Sequence, residues 1–158
     1  MIIKAIVDED FVNYKKPAMF IAFPHCSFKC EQECGERVCQ NSALALAPNI
    51  ETTAHELVER YLKNPITQAI VCGGLEPMDS FEDLMTLIHM LRHSGCDDDV
   101  VVYTGYREDE LDILQLRALI DAGNVIVKFG RYIPGGTPHF DPTLGVQLAG
   151  ENQYAAKL

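Results

Sequence analysis

Four of the six cysteines lie between residues 23 and 42, and this cluster constrains the chain more than any other feature of its sequence. They are Cys26, Cys30, Cys34 and Cys39. Thiolates this close together predict a soft-metal site, for which iron–sulfur clusters and zinc are the usual occupants. Zinc sites favour Cys-x2-Cys knuckles, whereas the gaps here are three, three and four residues. The spacing therefore favours an iron–sulfur cluster.

A disulfide framework is the alternative interpretation of these cysteines. Secreted disulfide proteins carry a signal peptide and have cysteines spread along the chain. This chain begins MIIKAIVDEDF, which lacks the basic start and long apolar core of such a peptide, and its cysteines are clustered. We therefore expect free thiols and a cytoplasmic protein.

Length and charge restrict the remaining possibilities. At 158 residues, of which 47% are hydrophobic, residues 1–158 are predicted to form one domain. No apolar run approaches the roughly 20 residues of a membrane span. The 13 basic and 23 acidic residues give a net charge of −10, which argues against a nucleic-acid partner. We expect neither a membrane nor a nucleic acid to be the partner.

Apolar runs and helical periodicity alternate along the chain, which predicts an α/β fold. Thr53 and Glu56 form a capping box, Ser80 is predicted to cap the next helix, and the cysteine loop shows no regular periodicity. The predicted strands are residues 2–7, 19–23, 69–72, 100–103 and 125–129. The predicted helices are 53–63, 81–92 and 108–122, with a short helix or turn at 41–46. Residues 8–10 are predicted to leave the first strand, and the chain after Gly130 to be mostly loop.

Strand–helix alternation from residue 19 to 129 predicts a mostly parallel sheet. The loops after parallel strands gather at one edge, so we expect the cysteine loop, Gly73-Gly74, Thr104-Gly105 and Phe129-Gly130 to meet there. A cluster held by three cysteines leaves one iron that a small molecule with an amine and a carboxylate can chelate. The Gly73-Gly74 turn would offer that amine backbone groups that no side chain obstructs.

The order of the motifs resembles the radical S-adenosylmethionine (SAM) enzymes. Cys-x3-Cys, a later cysteine and the GGLEP turn at residues 73–77 carry this resemblance. Further segments are similar to the activating enzymes of anaerobic ribonucleotide reductases. These segments are Cys39-Gln-Asn41, Tyr103-Thr104-Gly105-Tyr106, Gly130-Arg131-Tyr132 and residues 150–153.

The resemblance implies a small, mostly parallel sheet of βα units that forms a partial (β/α) barrel of radical SAM type. It implies a [4Fe–4S] cluster and SAM as cofactors, with no catalytic residue beyond the cluster. The reduced cluster would cleave SAM to methionine and a 5′-deoxyadenosyl radical, which would make a glycyl radical on a partner such as anaerobic ribonucleotide reductase. A flavodoxin or ferredoxin would donate the electron. The implied SAM-binding residues are Gly73, Gly74, Glu76, Pro77, Thr104, Lys128 and Gly130.

The cysteine spacing departs from that family, which has Cys-x3-Cys-x2-Cys, because position 33 is Glu. Cys26 and Cys30 are the first two predicted ligands. We favour Cys39 as the third, because Asn41 and Ser42 follow it as in the family and the apolar Val38 precedes it. Cys34 is the alternative third ligand. Cys72 before the Gly-Gly turn and Phe129 before Gly130 also depart from the pattern.

Two other functions stay open at this point. If all four loop cysteines bind the cluster, SAM cannot chelate it, and the chain is an electron carrier or a metal-stabilised binding module. Alternatively, a radical SAM enzyme of this kind acts on a peptide or a small molecule instead of a glycyl radical protein.

Overall fold

A six-stranded mixed sheet forms the centre of the computed structural model, which describes residues 1–158. The four central strands are parallel, and the outermost strand at each edge is antiparallel to its neighbour. The sequence thus predicted the parallel centre, while the sheet as a whole is mixed. In spatial order the strands are β10 (Tyr154–Lys157), β7 (Val125–Phe129), β6 (Asp99–Tyr103), β5 (Ala69–Gly74), β3 (Ala18–Phe23) and β2 (Ala5–Asp10).

Five α-helices and two small antiparallel sheets complete the fold. The helices are α1 (Lys29–Cys34), α2 (Ser42–Leu46), α3 (Ala54–Lys63), α4 (Phe81–His93) and α5 (Ile113–Ala122). Short 3₁₀ helices span Pro77–Ser80 and Glu108–Glu110. The small sheets pair β1 (Ile2–Ile3) with β4 (Ile50–Glu51), and β8 (His139–Asp141) with β9 (Val146–Leu148). None of the helices combines the length and the apolar character that a membrane crossing requires.

The central strands are buried on both faces, which explains their uninterrupted apolar sequences. In β6, Val100 and Val102 belong to the larger core, which also contains apolar residues of α3, α4 and α5. Val101 points to the opposite face and packs in a smaller core with Tyr14 and Leu144. Side chains alternate along a strand, so one apolar run supplies both cores.

The capping pattern at α3 and the start of α4 at Phe81 are confirmed, whereas the capping bond expected from Ser80 is absent and the predicted start of the next helix is wrong. Thr53 and Glu56 exchange the bonds of a capping box. Ser80 makes no side-chain cap, because a 3₁₀ helix leads directly into α4. The single helix expected over 108–122 divides in two, since the Asp112 side chain accepts from the backbone N–H of Leu114 and starts α5 there.

Three segments predicted to lack regular structure are ordered elements. Residues 8–10 continue β2 instead of ending it, and the cysteine loop contains the six-residue helix α1. The polar tail forms β10, which pairs with the outer side of β7 and covers that edge of the parallel strands. These elements depend on contacts with distant parts of the chain, so local periodicity did not reveal them.

Candidate functional site

A cleft of about 460 Å³ opens at the carboxyl-terminal ends of the parallel strands. Its lining includes Cys26 from the loop after β3, Gly73 from the end of β5, Thr104 after β6 and Gly130 after β7. The four loops that the sequence placed at one edge therefore meet around one cavity. Parallel strands deliver their following loops to a common edge, which is why residues up to about a hundred positions apart converge there.

Three of the four clustered cysteines line this cleft. Cys26 precedes α1, Cys30 lies within it, and Cys39 precedes α2. Cys34 ends α1 one turn after Cys30 and lies outside the cleft lining. The six cysteines are all free thiols. The cleft thus contains the two first predicted ligands and the favoured third.

Burial and nearby charges disfavour ionisation of the Cys26 and Cys30 thiols. Burial raises the pKa of the Cys26 thiol to about 12, and nearby carboxylates and Cys30 add to the effect. Burial also raises the pKa of Cys30, with Cys39 as the next contribution. A bound metal deprotonates a coordinating thiol because its positive charge stabilises the thiolate. The donor set therefore suits a cationic group.

The two glycines of the Gly-Gly turn have different structural roles. A Cβ on Gly73 would lie 2.9 Å from the ring edge of Phe20, a side chain that also lines the cleft. Gly74 has a φ of 87°, and its Cβ would lie 2.7 Å from Cα of Ala22 in β3. Backbone packing therefore requires glycine at position 74. The main effect of a side chain there would be strain in the turn, and not obstruction of a ligand.

Glu76 and Lys128 are two buried ionisable groups of the cleft lining, exposed by only 3% and 7%. Glu76 accepts hydrogen bonds from the backbone N–H groups of Gly105 (2.8 Å) and Met78 (3.1 Å). Burial nevertheless raises its pKa to about 7. Burial lowers the pKa of Lys128 to about 8, against the attraction of the Glu76 carboxylate. The Lys128 ammonium donates to the Gly130 carbonyl oxygen.

The remaining predicted residues have mainly structural contacts. The buried Thr104 accepts a hydrogen bond at its hydroxyl from the Tyr106 backbone N–H (3.0 Å). Gly130 has a φ of 92°, and a Cβ there would collide with the Asn152 carbonyl oxygen. Pro77 begins the 3₁₀ helix after the Gly-Gly turn and lies outside the cleft lining.

Several side-chain contacts connect the cysteine loop to the sheet edge. These contacts were not predicted from the sequence. The Asn41 amide donates to the Gly74 carbonyl oxygen (2.7 Å). The buried Arg131 bonds to Glu33 in α1 and to Glu110, and also donates to the Gly105 carbonyl oxygen (3.2 Å). Glu33, which replaces a cysteine of the family pattern, therefore anchors α1. The motif positions of Asn41 and Arg131 were noted in the sequence, but their partners were not predictable from it.

No group of three or more His, Cys, Asp or Glu side chains converges closely enough to hold a single metal ion. A [4Fe–4S] cluster distributes its thiolate ligands over different irons, so its cysteines need to surround a cavity and not one point. Cys26, Cys30 and Cys39 surround such a cavity. The residues of the cleft fit a cluster of this kind.

Comparison with protein families agrees with this interpretation. Residues 18–137 match the model of the 4Fe-4S single cluster domain, which covers the cysteine loop and all four parallel strands. The chain belongs to this family. The 4Fe-4S single cluster domain is found in radical SAM-type proteins. No curated protein matches the chain. The prediction of an iron–sulfur cluster over zinc or disulfides is confirmed at the level of the family.

Proposed function

We propose that this 4Fe-4S single cluster domain is a radical SAM enzyme that activates a partner protein by forming a glycyl radical. The observation that carries the proposal is the cleft, which Cys26, Cys30 and Cys39 line together with the Gly-Gly turn while Cys34 lies outside. Three ligands leave one iron of a [4Fe–4S] cluster for SAM. The parallel strands β3, β5, β6 and β7 would then belong to a partial (β/α) barrel of radical SAM type.

When bound, the reduced cluster would supply the electron that cleaves SAM to methionine and a 5′-deoxyadenosyl radical. The chain's own residues would bind and orient the amino-acid end of SAM. Lys128 has three N–H donors, of which the Gly130 carbonyl oxygen engages one, so donors remain for the SAM carboxylate. The Glu76 carboxylate and a backbone carbonyl of the Gly-Gly turn would accept hydrogen bonds from the SAM amino group, which must be unprotonated to chelate the open iron.

The Gly-Gly turn offers two such carbonyls, but Asn41 already donates to the one of Gly74. The acceptor for the ligand would therefore be the Gly73 carbonyl or the remaining lone pair of Gly74. Phe20 and Tyr103 line the cleft beside Gly73 and supply apolar surface there. A flavodoxin or ferredoxin would be the electron donor, and a glycyl radical protein such as anaerobic ribonucleotide reductase would be the partner.

The test is 5′-deoxyadenosine formation from SAM after anaerobic reconstitution and reduction with dithionite. Wild type and Cys34→Ala should form the product, whereas Cys39→Ala should not. A wild-type protein with a full cluster that forms no product, and whose EPR signal SAM does not change, would indicate a closed-cluster electron carrier. If product forms, EPR detection of a glycyl radical on a co-incubated anaerobic ribonucleotide reductase tests the partner.

A further inference from the structure

The segment that carries Cys26 is held in a disfavoured backbone conformation. Phe28, two residues after the cysteine, has a φ of 52°, a left-handed conformation that few residues other than glycine adopt. In this conformation its N–H donates to Sγ of Cys26 at 3.2 Å. Such a conformation persists only where surrounding contacts enforce it. The contacts that do so therefore determine where the Cys26 thiolate lies.

The carboxylate of Asp79 contacts this segment from outside the cysteine loop, beside the bonds that the Gln32 amide makes to the Ser27 carbonyl and the Glu76 N–H makes to the His25 carbonyl. Its Oδ2 accepts from the backbone N–H of Ser27, between Cys26 and Phe28, at 2.5 Å. Its Oδ1 accepts from the Tyr106 hydroxyl at 2.5 Å, and that hydroxyl also lies 3.3 Å from the Ser27 hydroxyl. One carboxylate thus connects the backbone beside the first cysteine to a side chain of the loop after β6.

Asp79 and Tyr106, the two side chains that contact Ser27, are themselves held in place by other contacts. Asp79 lies in the 3₁₀ helix that follows the Gly-Gly turn, and the Glu76 side chain caps this helix by accepting from the Met78 N–H. The Tyr106 backbone N–H donates to the Thr104 hydroxyl, and the Lys29 ammonium lies 4.2 Å from the centre of the Tyr106 ring. The carboxylate is therefore placed by the sheet edge and not by the cysteine loop.

The charge of Asp79 does not explain its position. A carboxylate near a thiol disfavours the thiolate, and Asp79 contributes to the raised pKa of Cys26, where burial is the largest cause. The two hydrogen bonds that Asp79 accepts are therefore the contacts to test.

We propose that Asp79, oriented by the Tyr106 hydroxyl, is a positioning residue that holds the Ser27 backbone so that Cys26 is fixed for cluster binding. The inference rests on cluster binding by this family and not on SAM cleavage. Asn at position 79 can preserve both bonds, because its amide oxygen accepts from the Ser27 N–H and its NH₂ donates to the tyrosine oxygen. Ala preserves neither bond. This difference separates geometry from charge.

The experiment compares Asp79→Ala, Asp79→Asn and Tyr106→Phe with wild type after anaerobic reconstitution. Glu82→Ala is the matched control, since it removes an exposed carboxylate from the nearby first turn of α4. The readouts are iron and sulfide content and the rate of cluster loss to a chelator. Loss of a charge-assisted hydrogen bond should accelerate cluster loss about tenfold in Asp79→Ala. Tyr106→Phe, which keeps the ring beneath Lys29, should fall between Asp79→Ala and wild type.

Asp79→Asn should lose its cluster within about twofold of the wild-type rate, and its midpoint potential should rise because a nearby negative charge is removed. If Asp79→Asn loses the cluster as fast as Asp79→Ala, the charge and not the geometry is responsible, and the proposal is wrong. Equal retention in Asp79→Ala and Glu82→Ala would also overturn it.

A measurement on the metal-free chain keeps the proposal testable independently of the cluster. The Ser27 amide should exchange its hydrogen faster in Asp79→Ala than in wild type, because its acceptor is gone. Unchanged exchange in Asp79→Ala would show that the carboxylate does not hold this backbone. Since neither cluster nor SAM is present, failure here is distinct from failure of the proposed enzymatic function.

Discussion

Glu76→Gln should change the pH dependence of stability by an amount that follows from the burial of this carboxyl. Burial raises the pKa of Glu76 from its ordinary 4.5 to about 7 in the folded chain. Below pH 4.5 the carboxyl is protonated in both the folded and the unfolded chain, so titration costs no stability. As the pH rises towards 7, the unfolded chain releases the proton while the folded chain retains it, so the folded state becomes less stable.

The pKa of Glu76 rises from 4.5 to about 7, and each pH unit of this interval corresponds to about 1.4 kcal/mol, so wild type should lose ~3 kcal/mol across this pH range. Gln does not titrate and avoids this loss. At pH 4.5 the Gln variant should be less stable than wild type by about 1 kcal/mol, because one acceptor oxygen becomes an NH₂ group. The order should reverse at about pH 5.5, where wild type has lost ~1 kcal/mol, and above pH 7 the Gln variant should be more stable by ~2 kcal/mol.

Urea unfolding of the metal-free proteins at several pH values between 4 and 8 measures this difference. Taking the difference between variant and wild type cancels the titration of groups that do not interact with Glu76. Lys128 does interact with it, but the Lys128 pKa of about 8 lies at the upper limit of this pH range. Glu82→Gln, at an exposed position of α4, is the control and should give a profile parallel to that of wild type. Parallel profiles for Glu76→Gln and wild type would refute the reasoning, because they would mean that burial does not perturb this carboxyl.

The other predictions concern the cysteines, the glycine turn and the loop that joins them. Cys34→Ala should retain the full iron and sulfide content after reconstitution, whereas Cys39→Ala should lose the cluster or hold it weakly; the reverse pattern would make Cys34 the third ligand. Gly74→Ala should lower the unfolding free energy by ~2–4 kcal/mol through strain and overpacking. Gly73→Ala should lower it by less than half as much. Under the proposed function, Gly73→Ala should also weaken SAM binding, which calorimetry would measure. Asn41→Ala should cost about 1 kcal/mol in unfolding free energy and accelerate cluster loss to a chelator. Under the proposed function, SAM should bind most tightly between about pH 7 and 8, where the buried acid is ionised and the buried lysine still charged, which equilibrium binding at pH 6, 7.5 and 9 would test.

The centre of the fold was predictable because its signals are local. The run Ile70–Cys72 and the valines of β6 are apolar without interruption, which is typical of strands buried on both faces. Thr53 and Glu56 satisfy each other's backbone groups, so their capping box is specified within four residues. The convergence of the loops followed from the topology of parallel strands and needed no knowledge of their side-chain contacts.

The edge strand β10 and the side-chain contacts that hold the site were not predictable, because they depend on residues far apart in the sequence. β10 pairs with β7 from 25 residues away, and its own sequence, YAAK, has no strong strand preference. Asp79 acts on Ser27 across 52 positions, and Arg131 on Glu33 across 98. Carboxylates are common on surfaces, so nothing in the sequence distinguishes Asp79 from the other acidic residues.

Contacts with the sheet edge stabilise the cysteine loop, and we expect the iron–sulfur cluster to stabilise it further. Helices α1 and α2 contain only six and five residues, and helices this short are not stable alone in water. Asn41 and Asp79 connect the loop to the end of β5, and Arg131 connects it to the end of β7, so the sheet edge sets the cavity that three cysteines surround. Because metal binding and folding are linked, cluster binding should in turn stabilise these contacts. We therefore expect cluster binding to stabilise the loops after β5, β6 and β7 together, although none of them supplies a cysteine to it.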